Sequence, residues 1–198
     1  MAVSKTKAKL VDVARQLFAK NGVDNPTMND IAVASKKGRR TLYTYFKSKE
    51  DIYMAVVESE LEMLSDALEK VAAEPIEPDV KILKMIETHL DAIKVVVLRN
   101  GTLKAGFFRD IWRVASVRRN LDEREMRLFR QILDEGKEKG LFDIDNVEIV
   151  SDILHYCIKG IEVPYIRGQI GENLSDQEGW DYVAKIVYGA LGRKIEEK

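Results

Sequence analysis

The residues of this chain best suited to chemistry are cations. Lys36, Lys37, Arg39 and Arg40 stand almost side by side, followed by the hydroxyl bearers Thr41, Tyr43 and Tyr45 and then by Lys47 and Lys49. Such a set neither shuttles protons nor holds metals; it suits a polyanion. Arginine makes a bidentate contact to guanine in the major groove of DNA, while hydroxyls and ammonium groups donate to phosphate oxygens. Catalytic groupings are poor by comparison. The two histidines, His89 and His155, fall on different helices, and Cys157 lies two positions from His155, so their side chains diverge. Zinc-ligand spacings, nucleophile elbows and phosphate loops are absent from the sequence, and the acidic residues are spread as ordinary helix-face partners. No enzyme activity, metal or cofactor is expected.

Charge is distributed unevenly. The chain has 198 residues and a net charge of −1, but its first fifty residues carry eleven Lys/Arg against four Asp/Glu, and the remainder 21 against 29. A basic head on an acidic body fits a nucleic-acid-binding segment joined to a part with another task. The single cysteine rules out an internal disulfide framework. With no apolar run of membrane-spanning length and no apolar leader segment, the expected location is the cytoplasm, with no membrane partner.

The elements that must position these cations are helices. Four prolines and twelve glycines punctuate long stretches of helical apolar periodicity, and no segment reads as a strand. Leu10, Val13, Ala14, Leu17 and Phe18 give a first helix over 5–21, stopped by Asn21-Gly22. Thr27 suits an N-cap, with Asp30 three residues on, for a short helix over 28–34. Residues 35–38 break the chain, and a third short helix follows over 39–46. Ser48-Lys49-Glu50-Asp51 is close to a capping box for a long helix reaching about residue 73. Further helices are expected over 79–98, 103–117, 122–139, 147–168 with Pro164 as a kink, and from a Ser175 cap to near the C-terminus. The fold class expected is all-α: an amino-terminal three-helix helix-turn-helix unit over 1–50 and a larger helical bundle over 51–198, about nine helices in total.

Two short helices around a tight turn, with a first helix across them, form a helix-turn-helix. Its second helix enters the major groove. The start of the fourth helix, near Lys47 and Lys49, offers free N–H groups to a phosphate, and Thr27 stands at the start of the second. Lys5, Lys7 and Lys9 make a basic arm able to follow the DNA backbone. Each residue also has a plainer use: Leu42 and Phe46 are core, Tyr43 and Tyr45 can be packing residues with wet tips, and Thr27 and Thr41 can be caps alone.

The run Thr27-Met28-Asn29-Asp30-Ile31-Ala32, with Arg40-Thr41-Leu42-Tyr43-Thr44-Tyr45-Phe46-Lys47-Ser48-Lys49-Glu50-Asp51-Ile52, resembles the DNA-binding domain of tetracycline-repressor-like (TetR) regulators. The likeness covers about residues 8–54. It implies phosphate contacts at Thr27, Thr41 and Lys49, contacts to backbone and base methyls at Tyr43 and Tyr45, and base reading at Arg39 and Arg40. The turn departs from the family's Ala-Gly-Val-Ser. Here it is Ser35-Lys36-Lys37-Gly38, so lysine replaces the turn glycine. Either Lys36 takes the left-handed conformation, at on the order of 1 kcal/mol, or the turn shifts and Gly38 takes it.

For the body, the resemblance implies a homodimer on a palindromic operator and a pocket for an unknown small-molecule effector. The last two apolar helices supply the dimer candidates Ile153, Cys157, Ile161, Trp180, Val183, Val187 and Leu191. Pocket candidates are Met85, His89, Phe107, Phe108, Trp112, Tyr156 and Tyr165, since pockets are mainly apolar and aromatic with a few polar groups. The expected function is a ligand-responsive homodimeric repressor. The alternative is a helical interaction protein of the same fold that has lost DNA binding or ligand response.

Overall fold

The computed structural model describes residues 5–100, 111–170 and 176–193, and among these all regular structure is helical. Eight helices follow in order: α1 (Lys5–Asn21), α2 (Met28–Ala34), α3 (Arg39–Tyr45), α4 (Lys49–Ala72), α5 (Pro78–Asn100), α6 (Ile111–Glu138), α7 (Val147–Ile166) and α8 (Asp176–Ala190). The described parts of 1–63 and 95–119 form one compact unit, and those of 64–94 and 120–193 a second.

Helix α6 corrects the expected pair of helices over 103–117 and 122–139. The backbone is helical without a break through Asn120-Leu121-Asp122, which had suggested a fresh start. Leu121, Glu125, Phe129, Ile132 and Leu133 are all buried and recur every three or four residues, so the stripe runs straight through the polar patch. No glycine or proline interrupts α6 before Gly136. Residues 103–110 of the expected shorter helix, and the Ser175 cap, lie outside the described residues.

In the first unit, α1, α2, α3 and the start of α4 share a core. Leu10, Val11, Ala14 and Phe18 of α1 meet Ile31 and Ala32 of α2, Leu42 of α3, Phe46, and Ile52, Ala55 and Val56 of α4. Both helix starts are chemically capped. Thr27 Oγ1 accepts from Asp30 N–H while the Asp30 carboxylate accepts from Thr27 N–H, a reciprocal capping box. Ser48 and Asp51 repeat the arrangement at α4. Two longer ties fix α4 to this unit: Arg15 of α1 reaches Ser59 Oγ at 2.9 Å and the buried Glu60 carboxylate at 3.0 Å, and Lys49 Nζ donates to the Asp24 carbonyl at 2.8 Å.

The second unit has a charged chain inside its apolar core. His89 of α5 is fully buried, with Nδ1 2.6 Å from Glu125 of α6 and Nε2 3.0 Å from Glu162 of α7. Glu125 also holds His155 Nδ1 of α7 at 2.8 Å, and Lys159 of α7 binds Asp122 of α6 at 2.6 Å. Burial pushes His89 down, but its hydrogen bonds to Glu125 and Glu162, and their charges, outweigh this and raise its pKa to about 9. Burial likewise pushes Glu125 up, and the hydrogen bonds from His155 and His89 overcome it to leave the carboxyl at about 2. At neutral pH an imidazolium therefore sits between two carboxylates and joins three helices.

Two outcomes follow for stability. His89 is raised above its ordinary 6.5, so its contribution is complete below that pH and disappears as pH climbs through about 9. Glu125 is lowered, so its share is complete above 4.5 and is lost as pH falls towards 2. Urea midpoints are expected to decline between pH 6.5 and 9, with the His89 ring still protonated by NMR well above pH 6.5; a neutral ring at pH 7 contradicts the chain of charges. Separately, a Cβ on Gly136 would lie 2.1 Å from the Phe142 ring. Gly136→Ala is expected to destabilise the second unit by about 1–3 kcal/mol through overpacking, and an unchanged denaturation midpoint would show that Phe142 moves aside freely.

Candidate nucleic-acid interface

Helix α3 has seven residues and one of them, Leu42, is fully buried. Leu42 and, one turn later, Phe46 anchor the helix in the core. The helical period puts Arg40 and Thr44 on the opposite side and Arg39 and Tyr43 on the flank, and all four are exposed. Tyr43 shows 46% of its surface. Thr41 is half-buried, and Tyr45 stands at the helix end. Thr44 Oγ1 donates back to the Arg40 carbonyl at 2.9 Å, which leaves the two arginines and Tyr43 as the outward polar set.

The turn before α3 resolves the two possibilities left by the sequence. Lys36 has φ 54° and is the left-handed residue. Gly38 has φ −64° and ψ 146°, an extended N-cap without a side-chain hydrogen bond. The cap of α2 closes through Lys36 N–H to the Val33 carbonyl and Lys37 N–H to the Ala32 carbonyl, each 3.0 Å. This double closure is a Schellman motif. Lys36 is exposed, and Lys37 is half-buried.

The charges on this face are uncompensated. Among the described residues, Lys36, Lys37, Arg39, Arg40 and Lys47 have no ion-pair partner. In the second unit, by contrast, Lys81, Lys84, Arg124, Arg130, Lys139, Lys159 and Arg193 each meet a carboxylate. Cations left unpaired and adjacent raise the local potential and attract a polyanion. Of the remaining expected contacts, Thr27 is engaged: its hydroxyl lies 2.7 Å from the Asp30 carboxylate, and Thr27 holds that carboxyl below its ordinary range through both side-chain and backbone hydrogen bonds. Lys49 spends one of its three donors on Asp24. Asp51 takes the N–H groups of Lys47 and Ser48 at the mouth of α4. Of the basic arm, Lys7 lies 5.9 Å over the Phe46 ring, and Lys5 and Lys9 are exposed.

The pocket and dimer candidates scatter. Met85 and His89 are fully buried in the second unit. Tyr165 is half-buried, with its hydroxyl on Asp91 at 2.5 Å and Lys94 over its ring at 4.9 Å. Tyr156 is 68% exposed on the outer side of α7. Phe107 and Phe108, and the side chain of Trp112, lie outside the described residues. Ile153 and Cys157 are exposed beside Tyr156, and with Ile149 and Asp152 they line an open depression of about 400 Å³. Ile161, Trp180 and Val183 are half-buried, whereas Val187 and Leu191 turn into the unit's own core. The outward apolar residues of α8 are Tyr182 and Ile186. The sequence reading did not single out Glu125 and Glu162. Their signal was present: each sits in register with an apolar stripe, Leu121-Glu125-Phe129 and Ile158-Glu162-Ile166, where a charge demands a buried partner.

Residues 10–56 match the family described as bacterial regulatory proteins, tetR family. The HTH-type transcriptional regulator QacR of Staphylococcus aureus is 25% identical over 158 residues, 78% of this chain and 83% of that protein. A crystal structure of a transcriptional regulator from Cytophaga hutchinsonii superposes with a TM-score of 0.71 at 20% identity, covering 92% of this chain and 93% of the other. A TetR/AcrR-family regulator from Thermobifida fusca gives 0.64 at 22% identity, over 95% and 97%. The all-helical fold, the capped helix-turn-helix and the matched residues agree, and residues 10–56 are a DNA-binding domain of the tetR family of bacterial regulatory proteins.

Proposed function

We propose that the chain acts as a ligand-responsive repressor that binds a palindromic DNA site as a homodimer. The observation that carries the DNA part is the unpaired cationic face of the helix-turn-helix. Arg39 and Arg40 read bases at the start of α3, Tyr43 and Tyr45 contact the sugar-phosphate backbone and base methyls, and Thr41, Lys47 and Lys49 hold phosphates. A seven-residue helix spans few base pairs, so specificity requires two heads on half-sites about 10 bp apart or a multiple of that.

The dimer reading is supported by the outer side of α7 and α8. Ile149, Ile153 and Tyr156 show 56%, 56% and 68% of their surface, and Tyr182 and Ile186 show 57% and 72%. Apolar residues repeating in this way on two helices suit a two-fold contact between identical surfaces. The effector reading is supported by the charged chain around His89, a costly arrangement inside a core unless something uses it. A ligand that prefers one arrangement of the body shifts the population of DNA-competent dimers by no more than its differential affinity.

The unaltered chain is expected to recover a single palindromic sequence from a random duplex pool at a stated salt concentration. Arg40→Ala and Tyr43→Ala should then weaken that duplex by about tenfold each, as loss of a base or backbone contact of roughly 1–3 kcal/mol requires. Unchanged anisotropy titrations for both variants would transfer the chain to the reading in which the fold persists without DNA binding. Ile153→Asp together with Ile186→Asp is expected to yield a folded monomer by sedimentation; a persistent dimer places the contact elsewhere.

A further inference from the structure

Four helices of this protein end in the same closure, and one of them uses the wrong residue for it. After α6, α7 and α8 the chain turns through Gly140, Gly168 and Gly192, with φ of 70°, 65° and 56°. In each case two successive N–H groups close on the last turn: Gly140 and Leu141 on the carbonyls of Lys137 and Gly136, Gly168 and Gln169 on Tyr165 and Pro164, Gly192 and Arg193 on Gly189 and Tyr188. The α2 closure is identical in pattern, with Lys36 and Lys37 on Val33 and Ala32, yet its left-handed residue is a lysine. Lys36 is the one non-glycine with positive φ among the described residues. A side chain at that position crowds the carbonyl that follows, which glycine avoids.

The strain is locked in by its surroundings. Ser35 is fully buried, and its hydroxyl donates to the Ala32 carbonyl at 3.0 Å, the same oxygen that receives Lys37 N–H. Three hydrogen bonds thus hold a turn that the lysine itself disfavours. Strain held in this way marks a functional position. The molecule's own C-terminal closures show that glycine serves the geometry; what lysine adds is an ammonium group at the tip of the turn, exposed and without a partner among the described residues. Lys37 adds a second ammonium beside it, and Arg39 and Arg40 follow.

We infer that the α2–α3 turn is itself a phosphate-binding element in this protein, with Lys36 as a backbone contact retained at the expense of a relaxed turn. The inference rests on the DNA-binding reading above and deepens it. The turn supplies affinity that is independent of base sequence, while α3 supplies discrimination. Relaxing the turn and removing the charge are then the same substitution with opposite effects on two measurements.

The test uses the full chain and the duplex that it selects from a random pool. Lys36→Gly is expected to raise the thermal midpoint by several degrees. It should also weaken binding about 3- to 10-fold at moderate salt and lower the slope of log affinity against log salt by about one per head, equally for matched and mismatched duplexes. Lys36→Arg keeps charge and strain and should retain both the slope and the lower midpoint. Unchanged affinity and slope in Lys36→Gly overturn the inference while leaving the regulator reading intact, and so does a loss confined to the matched duplex. Failure of the unaltered chain to select any duplex would overturn the regulator reading and this inference with it.

Discussion

A helix of seven residues does not persist alone in water, so the usefulness of α3 depends on one packing constraint. Leu42 must be sealed against α1 and α2. Leu10, Ala14, Phe18 and Ile31 provide the enclosure, all with at most 1% of their surface exposed. Fixing Leu42 and Phe46 inward puts Arg40 and Thr44 most nearly opposite them and leaves Arg39 and Tyr43 exposed on the flank. The cationic surface is thus a by-product of an apolar one. Full burial of a leucine side chain contributes roughly 1.5–3 kcal/mol, more than any single exposed charge on the helix could return.

The two parts of the chain treat charge differently, and the difference is chemical. In the first unit, cations of the turn and α3 are left without carboxylates. In the second, seven lysines and arginines meet carboxylates, and even the core holds the imidazolium of His89 between Glu125 and Glu162. Exposed pairs such as Lys139 with Glu77 contribute little to stability. They neutralise those side chains locally, while the residues beyond the first fifty still carry 29 Asp/Glu against 21 Lys/Arg.

Much of this was legible in the sequence. The boundaries of α1 to α4 follow from caps and stops that act locally: Asn21-Gly22, Thr27 with Asp30, Ser48 with Asp51. Local chemistry of that kind does not need to know the rest of the fold. The continuity of α6 was not legible, because Asn120 and Asp122 resemble a helix start, and only the burial of Leu121 and Glu125 overrides them. The turn was half legible. The sequence identified an unusual residue, but which of Lys36 and Gly38 would be left-handed depended on where α3 begins. The sides of α7 and α8 were the least legible: both helices are apolar on more than one side, so Val187 could not be told from Ile186 until their burial was known.

Helix α4 is fastened to the head at two places, by Lys49 to the Asp24 carbonyl near its first turn and by Glu60 to Arg15 three turns later. Eleven residues of helix separate these fastenings, about 16 Å. A rod clamped at two points pivots about neither of them. The two ties therefore hold this stretch of α4, α1 and the loop ahead of α2 together as a single body within the first unit.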